Sequence, residues 1–497
     1  MKNLKDILSE IEVEEIRGKI DTEISGISFD SRSITKDNLF VAIKGNVFDG
    51  HKFISSAIEK GAKAILCEEF PSEIVYGVTY LKVKDSSSAL GYIASIYHGS
   101  PSSKLQLVGV TGTNGKTTTV TLLYRIATEL GYKAGLIGTV ENIIASEVIP
   151  HDEKSPATTP DPILLHKLLN EMVEKGCEYV FMEVSSHALD QSRVAGINFT
   201  GGIFTNLTHD HLDYHKNIEN YFGAKKKFFN MLDEKAFALS NTDDDYGEAM
   251  LEHIHARKFT YGFNKLEDFH GEINKLDFNG LQLSFNKEEI HSKLLGKFNA
   301  YNLLSVWSAS KLLGFDMEKV KKILENIRPP RGRFEHFTSK NGVLVIVDYA
   351  HTPDALEKIL VAIKDLLASG ENEANPPKAG KVISIFGCGG DRDPLKRPKM
   401  GKIGAVNSDI AVFTSDNPRS EDPDKIIEQM KTDLSPEDIK KVKTIANRHE
   451  AILEGVKLAQ KGDIILCAGK GHENYQEIKG VRNHFDDMEE FRKVLQV

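Results

Sequence analysis

A glycine-rich segment between an apolar run and a helical pattern constrains the fold more than any other feature of the sequence. Residues 105–110 are apolar and typical of a buried strand, Thr111-Gly-Thr-Asn-Gly-Lys-Thr-Thr118 follows them, and residues 119–130 have helical spacing. Glycines let backbone N–H groups approach phosphate oxygens, and the start of a helix adds partial positive charge. The order strand, loop, helix therefore predicts an α/β domain that binds the phosphates of a nucleotide.

One position of this loop departs from the strict Walker A pattern, which requires glycine at position 110, where this chain has valine. The loop is therefore a variant. The Lys116 ammonium is expected to reach the β- and γ-phosphates of ATP, and the Thr117 hydroxyl to bind Mg²⁺. A glycine-rich turn without a ligand is the alternative, which the strand–loop–helix context disfavours. The predicted ATP-binding residues of the loop are Gly112, Thr113, Asn114, Gly115, Lys116, Thr117 and Thr118.

Composition limits the classes of protein to which this chain can belong. A length of 497 residues predicts about three domains of roughly 150 residues each. The 63 basic and 72 acidic residues give a net charge of −9, which argues against a nucleic-acid binder but allows a local basic pocket. Since we find neither a signal-peptide pattern nor an apolar run of the roughly 20 residues that a spanning helix needs, we expect a cytoplasmic protein without membrane insertion. The 4 cysteines have no paired spacing and are expected to be reduced thiols.

Two breaker-rich segments, residues 99–103 and 328–332, predict domain boundaries. They divide the chain into residues 1–102, 103–331 and 332–497. Apolar runs that alternate with helical stretches favour parallel crossover units in the second and third divisions. These strand-like runs are residues 180–184, 202–205, 343–347, 382–386, 410–414 and 464–467. The expected fold class is α/β with three domains: an N-terminal α/β substrate domain, a central parallel-sheet domain similar to a P-loop ATPase, and a C-terminal Rossmann-like domain.

Further polar motifs follow one another along nearly the whole chain. They are Met182-Glu-Val-Ser-Ser-His-Ala-Leu189, Thr205-Asn-Leu-Thr-His-Asp-His-Leu-Asp-Tyr-His215, Gly296-Lys-Phe-Asn-Ala-Tyr-Asn302, Val347-Asp-Tyr-Ala-His-Thr-Pro353, Asp416-Asn-Pro-Arg419 and Ala468-Gly-Lys-Gly-His-Glu-Asn-Tyr-Gln476. Together with the loop at 111–118, these motifs resemble the successive motifs of the Mur ligase family. The last two resemble those of its diaminopimelate-adding members in particular.

The resemblance implies an ATP-dependent, ADP-forming ligase of peptidoglycan synthesis. It would join meso-diaminopimelate to the D-glutamate of UDP-N-acetylmuramoyl-L-alanyl-D-glutamate through an acyl phosphate. The first, second and third domains would bind the UDP-linked substrate, ATP and the amino acid respectively, and the enzyme is expected to act as a monomer on small molecules. The alternatives that stay open are the same reaction with L-lysine, a folylpolyglutamate synthetase, and an inactive nucleotide-binding regulator of the same fold.

The resemblance implies that Lys116, Glu183, His211 and Lys225 perform the catalytic chemistry. Thr117 would hold one Mg²⁺, and Glu183 and His211 a second. Because Mg²⁺ prefers oxygen, Glu183 is the chemically natural ligand, whereas a hydrogen-bonded core histidine is the alternative for His211. Lys225 matches a lysine that the family carries as a carbamate (N6-carboxylysine), which would provide a further oxygen ligand. A solvated basic helix face is the alternative for this lysine.

Other nucleotide contacts are implied farther along the chain. Asn299 and Asn302 lie one helical turn apart and can face the same side, although helix capping or surface polarity is the alternative for both. Arg333, Asp348 and His351 resemble groups that close over ATP from the third domain. The nucleotide would then lie between the second and third domains, and their closure would assemble the site.

Two regions resemble contacts for the UDP-linked substrate. In the first domain they are Asp30, Ser31, Arg32 and the stretch Gly45-Asn-Val-Phe48. In the central domain the matching residues are Thr158, Thr159, Ser185, Gln191 and Arg193. Hydroxyl and guanidinium groups suit diphosphate and carboxylate oxygens, although any one of these residues alone could be an ordinary surface polar group.

The predicted amino-acid pocket depends on a difference between two substrates. Diaminopimelate ends in an ammonium and a carboxylate, whereas lysine ends in an ammonium alone. Arg419 can bind a carboxylate through two parallel hydrogen bonds, Arg392 is a second candidate, and Asp416 and Glu473 can accept from an ammonium. The predicted diaminopimelate-binding residues are Arg392, Asp416, Asn417, Pro418, Arg419, Gly469 and Glu473. A purely structural turn at 416–419 is the alternative.

Overall fold

The structure, a computed structural model, describes residues 1–45, 49–150, 157–264, 267–369 and 380–496. The chain forms two compact units, the first of residues 1–261 with 312–314 and the second of residues 262–311 with 315–497. The predicted substrate contacts at 46–48 lie outside the described residues. In the described ranges, no helix has both the length and the apolar character needed to cross a membrane.

The first unit begins with a small α/β domain built on a five-stranded sheet. Its elements are β1 (Lys2–Asn3), α1 (Leu4–Ile7), β2 (Glu15–Arg17), β3 (Glu23–Ile24), β4 (Gly26–Ser28), β5 (Asn38–Val41), a 3-10 helix (Gly50–Phe53), α2 (Ile54–Glu59), β6 (Ala62–Cys67), β7 (Thr79–Lys82), α3 (Ser86–Tyr97) and a second 3-10 helix (Pro101–Lys104). The strand order is β2-β7-β6-β5-β4, with β4 to β7 parallel and β2 antiparallel to β7. Helix α3 covers one face and α2 the other, which explains why the central strands are mostly apolar and buried.

A larger sheet makes up the rest of the first unit. Its elements are β8 (Gln106–Thr111), α4 (Lys116–Glu129), β9 (Ala134–Ile137), β10 (Asn142–Ile144), β11 (Glu147–Ile149), α5 (Pro162–Glu174), β12 (Tyr179–Glu183), α6 (Ser186–Asp190), β13 (Gly201–Phe204), α7 (Leu212–His215), α8 (Ile218–Asn230), β14 (Phe237–Asn241), α9 (Gly247–Met250) and β15 (Arg257–Gly262). In this unit the strand order is β11-β10-β9-β12-β8-β13-β14-β15, parallel from β9 to β15. β10 and β11 form an antiparallel edge.

The centre of this sheet positions the phosphate loop. β8 lies between β12 and β13, and the three run in the same direction. Their carboxyl ends therefore meet at one edge, where ligands bind in sheets of this kind. Apolar side chains of α5 and α8, including Leu165, Leu169 and Phe228, pack in the core with Val180 and Met182 of β12. The strands predicted at 105–110, 180–184 and 202–205 are confirmed as β8, β12 and β13.

The second unit contains a six-stranded sheet and an antiparallel meander. Its elements are β16 (Phe269–Asp277), β17 (Gly280–Phe285), β18 (Glu288–Ser292), α10 (Lys297–Leu312), α11 (Met317–Asn326), β19 (Glu335–Thr338), β20 (Leu344–Asp348), α12 (Pro353–Ser369), β21 (Val382–Phe386), α13 (Lys396–Asn407), β22 (Ile410–Phe413), α14 (Pro423–Met430), α15 (Pro436–Ile439), β23 (Val442–Thr444), α16 (Arg448–Leu458), β24 (Ile464–Ala468), β25 (Tyr475–Ile478), β26 (Val481–His484) and α17 (Asp487–Leu495).

The six-stranded sheet has the order β19-β20-β24-β21-β22-β23, with β19 antiparallel and the other strands parallel. Its strands include the four that the sequence predicted after residue 332, and the Rossmann-like expectation is thus confirmed for this unit. Buried side chains of α12 and α14 pack on one face and those of α16 and α17 on the other. The carboxyl ends of β24, β21 and β22 lie next to one another in that order.

Candidate active site

The phosphate loop is shaped by two glycines and by the strand beside it. Gly112 and Gly115 have φ angles of +148° and +87°, and a Cβ atom on Gly112 would lie 1.9 Å from Oγ1 of Thr205. Asn206 accepts from the Thr113 N–H at its carbonyl oxygen (2.8 Å) and from the Asn114 N–H at Oδ1 (2.9 Å). The left-handed Gly115 lets α4 begin at residue 116, earlier than the predicted 119. The N-terminus of α4 therefore directly follows the loop, an arrangement that suits phosphate groups.

Two lysine side chains converge on this loop. Lys116 Nζ donates to the carbonyl oxygens of Gly112 (2.8 Å) and Thr113 (2.9 Å), and Lys225 Nζ donates to that of Gly112 (2.8 Å). Lys225 is 1% exposed and lies 4.5 Å from the ring centre of Tyr221, so it is not part of a solvated helix face. Burial, together with the charge of Lys116, holds the pKa of Lys225 well below its usual range. A lysine in this setting favours the neutral amine, which is nucleophilic.

Glu183 ends β12 beside the phosphate loop. Its Oε1 accepts from the Thr117 hydroxyl at 3.0 Å and from the Thr139 N–H at 2.7 Å, and the residue is 1% exposed. Across the described ranges, no three His, Cys, Asp or Glu side chains come close enough to hold a metal ion by themselves. One hydroxyl and one carboxylate next to a phosphate loop nevertheless fit Mg²⁺, because Mg²⁺ takes many of its ligands from nucleotide phosphates and water.

His211 lines a cleft that also contains Lys116 and Lys225. It adopts a left-handed backbone conformation (φ +53°) immediately before α7, and its side chain is 48% exposed, so it is not a core histidine. Its ring centre lies 5.0 Å from that of His187. The cleft has a volume of about 240 Å³ and brings together many of the side chains that the sequence singled out. Among its lining residues are Lys116, Thr158, Ser185, Arg193, His211 and Lys225.

Four of the five central-domain residues predicted to bind the UDP-linked substrate form one hydrogen-bonded chain. The Thr159 hydroxyl donates to the Glu183 carbonyl oxygen at 2.8 Å and accepts from the Ser185 N–H at 3.1 Å. Arg193 donates to the Thr159 carbonyl oxygen at 2.9 Å and, through Nε and Nη2, to Gln191 Oε1 at 3.0 and 2.6 Å. These contacts hold the guanidinium in one orientation at the cleft wall.

Ser31 and Arg32 lie in the loop after β4, in the N-terminal domain. Ser31 is buried, and its carbonyl oxygen accepts from Lys60 Nζ at 3.0 Å. Arg32 is exposed and pairs with Asp30 at 2.8 Å. The hydrogen bonds from Arg32 hold the pKa of Asp30 below its ordinary value. Neither residue lines the cleft described above.

In the second unit, Asn299 and Asn302 share one side of α10, as their spacing predicts. Asn302 Nδ2 donates to Asn299 Oδ1 at 3.0 Å, and Asn299 Nδ2 donates to the Leu295 carbonyl oxygen at 2.8 Å. Both side chains are buried, so surface polarity does not account for them.

Arg333, Asp348 and His351 gather around Tyr349 at the end of β20. The Asp348 carboxylate accepts from the N–H groups of Phe334 (2.7 Å) and Ala350 (2.8 Å), and burial raises the pKa of this carboxyl. The Arg333 guanidinium lies 5.0 Å from the ring centre of Tyr349, and His351 Nδ1 lies 2.8 Å from the Tyr349 carbonyl oxygen. The structure thus places the three predicted residues next to one another.

The residues predicted to bind diaminopimelate lie at the carboxyl ends of β24, β21 and β22. A Cβ atom on Gly469 (φ +113°) would lie 2.8 Å from Asp416 Oδ2, so glycine is required where the two loops meet. Asn417 Nδ2 donates to Glu473 Oε2 at 2.7 Å. Arg419 has φ +49° and donates through Nη1 to the Gly390 carbonyl oxygen at 2.8 Å. Burial, followed by the charge of Asp416, raises the pKa of Glu473.

Pro418 and Arg392 belong to the same group of loops. The Pro418 carbonyl oxygen packs so tightly on the loop after β21 that a Cβ atom on Gly390 would lie 1.9 Å from it. Arg392 is exposed, with its Cγ atom 3.6 Å from the position of a Cβ atom on Gly389. Arg419 Nη1 lies 3.0 Å from the same position, so the two arginines flank one glycine.

Four further residues complete these sites but were not identified from the sequence. Asn206 holds the phosphate loop, Tyr221 lies over Lys225, and the Thr139 N–H binds Glu183. Lys470 is fully buried, with Nζ 3.4 Å from both Asn417 Oδ1 and Glu473 Oε2. Two of these residues had a signal in the sequence that could have identified them. Lys470 lies between two glycines, and Asn206 comes just after an apolar strand.

A loop with a lysine and a threonine at the start of its helix, beside a parallel strand that ends in a buried carboxylate, defines a P-loop nucleotide-binding protein. Family comparisons agree with this class and cover most of the chain. The profile described as Mur ligase family, catalytic domain, matches residues 23–98, that of the Mur ligase middle domain matches 110–310, and that of the Mur ligase glutamate ligase domain matches 332–471. The chain belongs to the Mur ligase family.

Individual relatives are similar over their full length. Proteins named UDP-N-acetylmuramoyl-L-alanyl-D-glutamate–2,6-diaminopimelate ligase from Bacteroides fragilis and Bacteroides thetaiotaomicron are 51% and 50% identical to this chain, with 99% of each chain covered. A solved structure of a ligase with the same name has a TM-score of 0.70 at 29% identity and covers 100% of this chain and 99% of its own. The three-domain α/β fold expected from the sequence is thereby confirmed.

Proposed function

We propose that this protein is an ATP-dependent ligase of peptidoglycan synthesis that joins diaminopimelate to the D-glutamate of UDP-N-acetylmuramoyl-L-alanyl-D-glutamate. The observation on which the proposal depends is the convergence of Lys116, Lys225 and the Thr117–Glu183 pair at the phosphate loop. Arg193 lines the cleft beside them. Transfer of a phosphoryl group to a carboxylate brings several negative charges together and needs this concentration of cations and hydrogen-bond donors.

The reaction has two steps. In the first, a carboxylate oxygen of the substrate bonds to the γ-phosphorus of ATP while the bond from that phosphorus to the β–γ bridging oxygen breaks, and ADP leaves. In the second, the amine nitrogen bonds to the acyl carbon, the bond from that carbon to the phosphate oxygen breaks, and inorganic phosphate leaves with loss of a proton from the amine. The protein aligns the ligands and balances charge.

The loop 111–118 has the composition and shape to bind the triphosphate. Its amides, apart from those of Thr113 and Asn114, which donate to Asn206, would face phosphate oxygens. The Lys116 ammonium would exchange its two carbonyl partners for the β- and γ-phosphates. Thr117 would hold one Mg²⁺, and Glu183 and His211 would hold a second, with Lys225 as a carbamate providing a further oxygen ligand. When bound, Mg²⁺ neutralises phosphate charge and so favours attack by an anionic carboxylate.

Lys225 is assigned as a carbamate. The neutral Nζ would bond to the carbon of CO₂ and release one proton, which leaves an anionic carbamate. Burial supports this assignment because it favours the neutral amine. The product would place an anion beside Lys116, where the Nζ atoms of two lysines now share one carbonyl oxygen.

The UDP-linked substrate is assigned to the N-terminal domain and to the central cleft. Ser31 and Arg32 would contact the nucleotide end, and the cleft would hold the peptide end with its carboxylate. The assigned cleft residues are Thr158, Thr159, Ser185, Gln191 and Arg193. Arg193 is the natural partner for a carboxylate, since its orientation is fixed by protein contacts.

In the second unit, two groups of residues are assigned to ligands. Asn299, Asn302, Arg333, Asp348 and His351 are assigned to the nucleotide. The residues assigned to diaminopimelate are Arg392, Asp416, Asn417, Pro418, Arg419, Gly469 and Glu473. In this pocket, arginines suit the distal carboxylate, and Asp416 and Glu473 suit the ammonium. A pocket arginine without its carboxylate would penalise L-lysine, because an unpaired buried charge is costly.

The reaction consumes ATP and small soluble substrates, so we assign the enzyme to the cytoplasm. We also assign it as a monomer. The test is a ligation assay with purified protein, ATP, Mg²⁺ and the UDP-linked dipeptide, with diaminopimelate and L-lysine supplied in parallel. The expected result is a tripeptide product and stoichiometric phosphate with diaminopimelate only. A product with lysine would support the alternative substrate. Absence of product with both amino acids, although ATP binds, would support an inactive regulator.

A further inference from the structure

Arg448, the first residue of α16, has a fully buried guanidinium that connects the ends of two strands. Nη1 donates to the Ser415 carbonyl oxygen at 3.4 Å, and Nη2 donates to the Ala468 carbonyl oxygen at 3.1 Å. These carbonyls follow β22 and end β24 respectively, and β21 lies between the two strands in the sheet. The guanidinium therefore joins two loops that the sheet itself does not pair directly.

The two carbonyl groups directly precede residues of the assigned amino-acid pocket. Ser415 precedes Asp416, and Ala468 precedes Gly469. The loops approach each other so closely that a Cβ atom on Gly469 would lie 2.8 Å from Asp416 Oδ2. A small shift of either loop would therefore move the Asp416 carboxylate relative to the backbone of Gly469.

A carboxylate fixes the orientation of this guanidinium. Asp487, the first residue of α17, accepts from Arg448 Nε at 2.7 Å and from Nη2 at 2.6 Å, and both side chains are 0% exposed. Burial alone would lower the pKa of Arg448, but the charge of Asp487 raises the pKa above its ordinary value. The bidentate pair leaves the remaining N–H groups directed at the two strand ends, a geometry that the planar guanidinium allows and a lysine ammonium does not.

We propose that Arg448 is a positioning residue for the amino-acid substrate: it holds the loops after β22 and β24 at the separation at which Asp416 and Gly469 bind the distal end of diaminopimelate. This proposal rests on the proposed function. It assigns no direct contact with substrate to Arg448. Removing the guanidinium should weaken binding of the amino acid while leaving the phosphate loop, in the other unit, unchanged.

The experiment separates positioning from stability by three variants of the full-length enzyme. R448M removes the guanidinium and leaves Asp487 as an unpaired buried charge, so its Tm should fall. The double variant R448M/D487L replaces the whole pair by apolar groups, which often restores stability. I452A is the matched control. Ile452 lies on the same helix and is buried in the apolar core, so its truncation should destabilise the protein without removing a contact to either loop.

For R448M and R448M/D487L we expect KM for diaminopimelate to rise about tenfold, since sub-ångström displacement of a binding group has effects of this size, while KM for ATP stays within about twofold. I452A should lower Tm and leave KM for diaminopimelate unchanged. A double variant with wild-type Tm and wild-type KM for diaminopimelate would overturn the proposal.

R448K keeps the inference testable if the double variant does not fold, because it retains the positive charge but not the planar fork. A rise in KM for diaminopimelate without a rise in KM for ATP is expected, and an unchanged KM for diaminopimelate would overturn the proposal. Failure of the proposed function has a different outcome, since the wild-type enzyme would then add no diaminopimelate at all.

Discussion

Lys116 and Lys225 donate to the same acceptor, since the Nζ atom of each lies 2.8 Å from the carbonyl oxygen of Gly112. Burial, together with the repulsion that a second ammonium group would meet beside Lys116, holds the pKa of Lys225 well below its usual range. Conversion of Lys225 to an anionic carbamate would turn the repulsion into attraction. The first prediction tests that conversion.

Lys225→Ala should lower the rate of tripeptide formation by at least about 100-fold, because it removes a charged group at the site of phosphoryl transfer. Short carboxylates such as acetate should restore part of the activity by occupying the vacated volume. Lys227→Ala, on the same helix but exposed and paired with Asp190 at the surface, is the control and should keep nearly full activity. Full activity of Lys225→Ala without added carboxylate would exclude the carbamate role.

Glu183→Gln should lower kcat by about 100- to 1000-fold and raise the Mg²⁺ concentration needed for half-maximal rate. The amide keeps the shape and the hydrogen bond from Thr117 but loses the charge that suits a divalent cation. Glu178→Gln, an exposed change just before the same strand, should leave both quantities unchanged. A Mg²⁺ titration of the ligation rate distinguishes the two variants, and an unaltered Mg²⁺ requirement in Glu183→Gln would remove this carboxylate from the metal site.

Arg419→Ala should lower kcat/KM for diaminopimelate, with a loss of about 2–4 kcal/mol of transition-state stabilisation. KM for ATP should change little. Arg419→Lys should lose most of the same energy, because an ammonium cannot form two parallel bonds to a carboxylate. Arg482→Ala is a matched control, since Arg482 lies near the same Glu477 carboxylate as Arg419. Steady-state kinetics with diaminopimelate varied would contradict the assignment if Arg419→Ala matched the wild type.

The stability of the first unit should fall as the pH is lowered from about 6.5 to about 4, because burial lowers the pKa of His166 from 6.5 to about 4. In that window the unfolded chain binds a proton at His166 and the folded chain does not, so the free energy of unfolding decreases as the pH falls. Across the whole of this pH window, protonation of His166 in the unfolded chain lowers the free energy of unfolding by about 3 kcal/mol. His166 Nε2 lies 3.3 Å from the Ala195 carbonyl oxygen, an acceptor that the neutral ring can use.

His166→Gln should remove most of this pH dependence while keeping a donor for Ala195. The measurement is denaturant unfolding between pH 4 and 7 for both proteins. Parallel stability curves for the variant and the wild type would contradict the assigned pKa.

The seven strands that were predicted from the sequence agree with the structure to within one residue at each end, whereas buried strands such as β9 and β14 were not predicted. β12 and β21 are examples of the predicted strands, since they have continuous apolar runs bounded by polar loops. The meander β16 to β18 was not identified, because its strands alternate buried and exposed residues instead of forming the continuous apolar runs by which the other strands were found. It also lies among helical patterns. Leu281, Leu283 and Phe285 are buried on one face of β17, and the turn at Asn279 and Gly280 precedes them, so this alternation was an available signal.

In the candidate site, sequence motifs identified groups that are contiguous in the chain but not the contacts between distant segments. The loop residues were found because they directly follow an apolar strand, and Glu183 was found through the resemblance of its motif to a Mur ligase motif. Burial of Lys225 depends on Gly112, 113 positions away, and Arg448 meets Asp487 across 39 positions. Such pairings follow from the order of strands in the sheet, which local periodicity does not determine.

The most direct test of the proposed chemistry follows oxygen from the carboxylate to phosphate. The UDP-linked dipeptide is prepared with ¹⁸O at both oxygens of the reacting D-glutamate carboxylate. It is then incubated with enzyme, ATP, Mg²⁺ and diaminopimelate. Because the acyl phosphate breaks between the acyl carbon and the phosphate oxygen, we predict that the released phosphate contains one labelled oxygen for every tripeptide formed. Tripeptide accompanied by unlabelled phosphate would contradict attack of the carboxylate on the γ-phosphorus.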